Sequence, residues 1–230
     1  MSERFFLAAP PQAGRATLSG DEARHLARVL RAKVGDLVRV FDGSGSEWSA
    51  RVTQIGRDAV VLDIGDVVPA APHSTRAVTL AVALPKGDRQ KWLVEKLTEL
   101  GVERLVPLVT ERGVAEATES ARARLERGVV EACKQCGRNT LMEIAEPATL
   151  EALAARHPDA LRLVAQPGGR PLTEGIGGDH SEIVAAVGPE GGFTPDEISA
   201  AERCGFERVS LGPHILRIET AAIALAARLM

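Results

Sequence analysis

The run Ile183–Val187 is apolar at every position and leads directly into Gly188-Pro-Glu-Gly-Gly-Phe-Thr-Pro-Asp-Glu197. An unbroken apolar run of this length, bounded by turn residues, reads as a strand covered on both faces. Thr194 suits the N-cap of a following helix. Pro195 suits the first helical position, where a missing N–H does no harm, and Glu197 suits N3 of a capping box. A buried strand, a glycine pair and a fixed helix start therefore follow one another within fifteen residues. That order belongs to α/β architecture. The glycines leave three roles open: room for a flat ligand, room for a passing loop, or a turn that needs positive φ. Neither the dinucleotide G-x-G-x-x-G nor a phosphate-binding loop ending in Gly-Lys-Ser/Thr is present here.

The pattern extends in both directions. Strands are expected at Val78–Leu84, Leu105–Val109, Leu161–Ala165, Ile183–Val187 and Val209–Leu211. Helices are expected at Asp88–Leu100, Glu119–Cys136, Leu150–Ala155, Pro195–Cys204 and Thr220–Leu229. In the first of these, Leu93, Leu97 and Leu100 share a face, and Lys91 is placed to pair with Glu95 at i+4. Alternation of this kind gives a mostly parallel sheet with helices on both sides. This is the expected second domain, residues 76–230.

Residues 1–70 read differently. Leu37–Phe41, Glu47–Ile55 and Ala59–Val67 are strand runs separated by Gly/Asp/Ser turns, as in a small β-barrel. Asp21 is placed to cap a helix that buries Ala23, Leu26, Ala27 and Leu30, while Arg24, Arg28 and Arg31 share another face. Pro69 and Pro72, in the stretch Val68–Thr75, mark a linker.

Overall charge is −3, which announces no polyanionic partner, but its distribution does more. Arg24–Arg39 holds five basic residues against Asp36 alone, a net +4 over sixteen residues, and such a patch is the usual footprint for phosphate. With five Phe, two Trp and no Tyr, a base-stacking sheet is disfavoured. No apolar run reaches the ~18 residues of a membrane span, so a cytoplasmic protein is expected. Cys133-x-x-Cys136 falls late in a helix with no second ligand pair, so helix packing accounts for it better than metal or redox chemistry, and no metal is expected.

The terminal segment Ala221–Met230 is apolar nearly all round, which implies burial on every side by threading into the fold, by a partner subunit, or by both. Arg217 and Glu219 sit beside it as charges that need each other, other partners or a ligand.

Gly188-Pro-Glu-Gly-Gly-Phe and Leu211-Gly-Pro-x-Ile-Leu-Arg-x-Glu-Thr-Ala resemble the paired knot-loop motifs of the 16S rRNA (uracil-N3)-methyltransferase family, ribosomal small-subunit methyltransferase E. His25-Leu-x-x-Val-Leu-Arg with Gly35-Asp36 is similar to that family's PUA-like first domain. Leu84-Pro-Lys-Gly-Asp, Lys96-x-x-Glu-Leu-Gly-Val and Glu131-x-x-x-Gln135-x-x-Arg138 resemble parts of its methyltransferase domain. The motifs keep the family's order from residue 25 to residue 221. His214 and Ile218 stand where the family usually carries arginine and threonine.

The resemblance implies a SPOUT trefoil-knot methyltransferase domain with a parallel sheet, preceded by a small PUA-like β-barrel. It further implies a homodimer, S-adenosyl-L-methionine as cofactor, and 16S ribosomal RNA as substrate, free or within the assembled small subunit. Cofactor contacts are expected from Gln166, from Gly188, Pro189, Glu190, Gly191 and Gly192, and from Leu211, Gly212, Ile215, Leu216, Arg217, Glu219, Thr220 and Ala221. RNA contacts are expected from His25, Arg28, Arg31 and Lys33, and from Lys86, Arg89 and Arg138. A packed histidine and a merely solvated arginine face remain the alternatives for His25 and the basic helix. Lys86 and Arg89 have no obvious local partner, which favours RNA.

Uracil N3 carries a proton and becomes a good nucleophile only when that proton leaves. The implied catalytic set is Arg217, stabilising charge on the uracil oxygens, with Glu190 or Glu219 as proton acceptor. The alternatives are a SPOUT methyltransferase acting on another rRNA or tRNA nucleotide, and an RNA-binding protein that has lost catalysis.

Overall fold

A computed structural model describes residues 3–69, 76–114, 118–172 and 180–230. The expected linker lies outside the described residues except for Val68 and Pro69. The chain divides into two compact units, Met1–Pro72 with Cys133–Leu141, and His73–Ala132 with Met142–Met230.

The first unit is built on β1 (Arg4–Phe6), β2 (Arg15–Ser19), β3 (Leu37–Phe41), β4 (Glu47–Ile55) and β5 (Ala59–Val68). They form one sheet in the order β1-β3-β4-β5-β2, with β1 parallel to β3 and the other pairs antiparallel. Side chains alternate across the sheet, so Val38, Val40, Val52, Val60 and Leu62 meet Phe5, Leu7 and Leu18 in one core. β1 and β2 escape sequence reading because one has three residues and the other alternates arginine, threonine and serine with only Ala16 and Leu18 inside.

The helical segment departs from expectation. Ser19, not Asp21, holds the N-cap position of α1 (Gly20–Arg24), and Asp21 pairs with Arg24 inside the first turn. The chain then widens into a π-helical turn, His25–Val29, in which Leu30 donates its N–H to the His25 carbonyl at 3.0 Å. The extra residue in that turn rotates the buried stripe. Ala23 and Leu26 remain inside, whereas Val29 is 66% and Leu30 37% exposed.

Residues 133–141 complete this unit. Arg4 lies over the Phe41 ring, pairs with Glu47, and donates to the Cys133 and Arg138 carbonyls and to Asn139 Oδ1. Lys134 Nζ meets Glu22 at 2.7 Å. Cys133 is buried and donates its thiol to the Thr140 carbonyl, while Cys136 is exposed. Burial pushes the Cys133 thiol up to about 11, against the opposing charges of Arg138 and Arg4.

The second unit holds β6 (Ala77–Val82), β7 (Arg104–Pro107), β8 (Glu143–Ile144), β9 (Leu161–Pro171), β10 (Glu182–Val187) and β11 (Glu207–Ser210). Every pair is parallel, in the order β11-β9-β10-β6-β7-β8. The helices are α2 (Arg89–Glu99), α3 (Glu119–Cys136), α4 (Leu150–Arg156), α5 (Pro195–Arg203) and α6 (Ile218–Leu229). β6 and β10 are almost wholly buried, the mark of central strands covered on both faces. The expected capping box is present: Thr194 Oγ1 accepts from Glu197 N–H at 3.2 Å, and Glu197 Oε2 accepts from Thr194 N–H at 2.7 Å.

α6 buries one stripe within its own chain: Ala222, Leu225, Ala226 and Leu229 are sealed, while Thr220, Ala227 and Arg228 are exposed. The buried stripe packs on α2, β6 and β10. One expectation needs correction: Lys91 does not take Glu95, because Lys96 Nζ lies 2.8 Å from both Glu95 and Glu99. Among the described residues no helix is long and apolar enough to cross a membrane.

Candidate cofactor and substrate site

Parallel strands bring their carboxyl ends to one edge, where loops leaving adjacent strands enclose a crevice. Here that edge is formed by β11, β9 and β10. The loop after β10 starts at Gly188 and the loop after β11 starts at Leu211, and between them lies a cavity of about 390 Å³. The third wall is Ala165–Gly168, inside the unexpectedly long β9.

The glycine loop owes its shape to three positions. Pro189 accepts the Gly192 N–H at 2.8 Å, closing a tight turn, and Gly192 has φ +68, a backbone that side chains strain to adopt. At Gly188 a Cβ would stand 2.8 Å from the Phe193 ring, so only glycine lets that ring pack against the loop. Arg112 donates to the Gly191 carbonyl at 2.8 Å and holds the loop from outside.

Of the residues expected at this site, Gln166, Gly188, Pro189, Glu190, Gly192, Leu211, Gly212, Ile215, Leu216 and Ala221 line the cavity. Gly191, Arg217, Glu219 and Thr220 do not. Gly191 faces the Arg112 side chain, 3.3 Å from where a Cβ would stand. Arg217 takes the N-cap position of α6 with an exposed side chain and has no ion-pair partner among the described residues. Thr220 points outward one turn along. Glu219 is buried, and its Oε2 has no hydrogen-bond partner.

Sequence reading missed Pro167, Gly168, Phe193, Ser210, Pro213 and His214 on the lining. The signal for the first two was Gly168-Gly169 just after a buried strand. A Cβ on Gly169 would stand 2.8 Å from the Arg208 and Val209 backbone, so the glycine lets β9 run on beside β11. Ile215 is 89% exposed at the rim, an apolar side chain offered to whatever enters.

The residues expected at RNA divide. Arg28, Arg31 and Lys33 are exposed, with no ion-pair partner among the described residues, and Arg31 holds φ +55 just past the π turn. His25 is half-buried with its ring 6.0 Å from that of Phe5, the packed alternative. Arg138 donates to Thr140 Oγ1 at 3.2 Å. In the second unit Lys86 is exposed and without an ion-pair partner among the described residues. Arg89 is not free: Nη2 lies 3.1 Å from Glu190 and Nη1 3.5 Å from Glu219. Those carboxylates come from residues 190 and 219, far along the chain, so no local spacing announced them.

Comparison with known proteins agrees with this construction. A family model described as an RNA methyltransferase domain matches residues 72–230, and one described as an RNA methyltransferase PUA domain matches residues 18–65. The fold and the matches define an RNA methyltransferase of the SPOUT trefoil-knot class with a PUA-like first unit. The chain is 36% identical over 217 residues to ribosomal RNA small subunit methyltransferase E of Synechocystis, covering 91% of this chain and 71% of that one. It is 32% identical to the protein of that name in Rickettsia conorii, covering 92% and 87%. The crystal structure of ribosomal RNA small subunit methyltransferase E from Neisseria gonorrhoeae bound to S-adenosyl methionine matches with a TM-score of 0.88 at 30% identity, covering 99% and 96%. This chain belongs to the ribosomal RNA small subunit methyltransferase E family.

Proposed function

We propose that the chain methylates N3 of a uridine in 16S ribosomal RNA, with S-adenosyl-L-methionine as donor and the cavity between the two knot loops as the site. The observation that carries this reading is the cavity itself. Its size falls within the roughly 300–1,000 Å³ of small-molecule sites. Its lining joins apolar Phe193, Leu211 and Ile215 to polar Gln166, Ser210 and Glu190, which suits a ligand with a flat ring and a charged tail. The bound cofactor supplies an activated methyl group on a sulfonium, so the protein must orient the base and manage one proton.

Glu190 is the carboxylate on the cavity wall, and it accepts the N3 proton. Glu219 is buried away from that wall, which leaves it a supporting role. Arg217, exposed beside cavity-lining Leu216 and Ile218, stabilises the charge that spreads to the uracil oxygens. The N3 lone pair then forms the new bond to carbon as the carbon–sulfur bond breaks. Arg28, Arg31, Lys33 and Lys86 hold the phosphate backbone, and the working form is a homodimer in which the exposed face of α6 meets a second copy.

The test is mass-spectrometric mapping of small-subunit RNA from a strain lacking the gene, with and without the purified protein added back. Loss and recovery of one N3-methyluridine supports the reading. A full complement of that nucleotide in the deletion strain, with a different modified base missing, refutes it in favour of another RNA target.

A further inference from the structure

Arg89 opens α2, the first helix after β6, yet its guanidinium reaches the glycine loop and the first turn of the helix that follows the second cavity loop. Nη2 lies 3.1 Å from Glu190 Oε1, in the glycine loop after β10. Nη1 lies 3.5 Å from Glu219 Oε2, in the first turn of α6 after the second loop. The two carboxylates differ in setting. Glu190 is 43% exposed and Glu219 only 7%, so Glu219 is nearly removed from water while Oε2 has no hydrogen bond. A buried carboxylate without a hydrogen-bonded partner is expensive. Arg89 supplies the one ion pair that Glu219 has among the described residues.

An arginine suits this position because its planar fork carries separate N–H groups that can address two acceptors at once, whereas a lysine ammonium is a single point charge. The backbone beneath is braced: Gln90 is buried, donates to the Pro85 carbonyl at 2.8 Å and accepts from Arg124 at 2.7 Å. The guanidinium therefore stands on a fixed platform, and the loops are what it restrains.

We propose that Arg89 is a positioning residue for methyl transfer, one that ties the two knot loops together through Glu190 and Glu219 and so fixes the Glu190 carboxylate at the cavity wall. The inference rests on the function proposed above, and it gives Arg89 a role in place of direct RNA contact. Without the tie Glu190 turns toward solvent and the first turn of α6 loosens.

The test compares Arg89→Met and Arg89→Lys with the parent protein by calorimetric titration of S-adenosylmethionine, steady-state methylation of 16S RNA and hydrogen exchange of the two loops. Arg89→Met should keep a cooperative melt and lose exchange protection in both loops. Its kcat should fall roughly tenfold or more, with the KM for RNA little changed. Arg89→Lys should recover only part of the loss, since one ammonium cannot hold both carboxylates. Should Arg89→Met instead raise the KM for RNA and leave kcat and both loops untouched, Arg89 is an RNA contact and the positioning role is wrong. Should it lose its cooperative melt, Glu219→Gln with Arg89 intact decides: unchanged loop exchange and kcat there also overturns the proposal. A parent protein that binds no S-adenosylmethionine refutes the function itself, an outcome distinct from equal behaviour of parent and variant.

Discussion

Glu197 accepts the backbone N–H of Glu111 at 2.8 Å through one carboxylate oxygen while the other closes the capping box at Thr194. One side chain thus fixes the start of α5, the exit of the glycine loop and the segment after β7. Thr194→Ala removes only the cap and should lower stability by about 1 kcal/mol. Glu197→Ala removes both attachments and should lower it further. Urea denaturation of the two variants measures the order, and equal midpoints would show that the two Glu197 carboxylate bonds together contribute no more than the Thr194 cap.

Side chains added to the glycine loop should act according to where they point. At Gly188 a Cβ meets the Phe193 ring at 2.8 Å, and Phe193 lines the cavity, so Gly188→Ala should displace the ring at a cost of about 1–3 kcal/mol and weaken S-adenosylmethionine binding. Gly191→Val meets the flexible Arg112 side chain outside the cavity and should leave cofactor affinity much closer to the parent value. Calorimetry on both variants checks the contrast. A larger loss from the Gly191 change would place the ligand on the opposite side of the loop.

Arg28→Glu with Arg31→Glu should weaken RNA binding and reduce the slope of log affinity against log salt by about 0.7–0.9 for each phosphate that is no longer neutralised. Cofactor affinity should not move. RNA binding with the parent salt slope would make these two arginines a solvated face.

Cys133 and Cys136 should behave as different chemical species. Cys136 is exposed and should react with a thiol reagent, whereas Cys133, buried and pushed up to about 11, should not. Its folded value lies above the ordinary 9.0, so between pH 9 and about pH 11 the unfolded chain loses its proton first and stability falls as pH rises. Cys133→Ala should show a shallower alkaline decline over that window. Identical declines would place its cause at other groups.

Leu225 is fully buried within its own chain, so Leu225→Ala should cost about 2–5 kcal/mol as a core cavity whatever the oligomeric state. Ala227→Glu, on the exposed face of α6, is the sharper probe of assembly. Sedimentation should show a dimer for the parent protein and a shift toward monomer for the variant. A parent protein that is monomeric and active at micromolar concentration would rule out the dimer.

Most of the second unit was legible in the sequence because its parallel strands are buried on both faces and its helices carry strong end signals. α3 (Glu119–Cys136) and the Thr194 box stand where periodicity and capping place them. The cavity lining was legible through glycine motifs but not through side-chain pairings. Arg89 looked free because its partners lie 101 and 130 positions away. Sequence reading ends β9 at Ala165 because Pro167-Gly168-Gly169 reads as a turn, whereas Gly169 admits the neighbouring strand. The π turn at His25–Val29 has no signature in a 3.6-residue period, which would bury Leu30, and its effect is the exposure of Leu30.

Arg4 finds its carbonyl and amide acceptors 129 to 135 residues downstream. A growing chain emits these acceptors only after 129 to 135 further residues have been added beyond Arg4. At about 5–20 residues per second that interval is on the order of ten seconds. Through it the nascent sheet must wait with its outermost strand missing the acceptors that anchor it, and a gene fragment ending near residue 70 would never supply them. Division of this protein for expression or fusion should therefore follow spatial units and carry residues 133–141 along with the first.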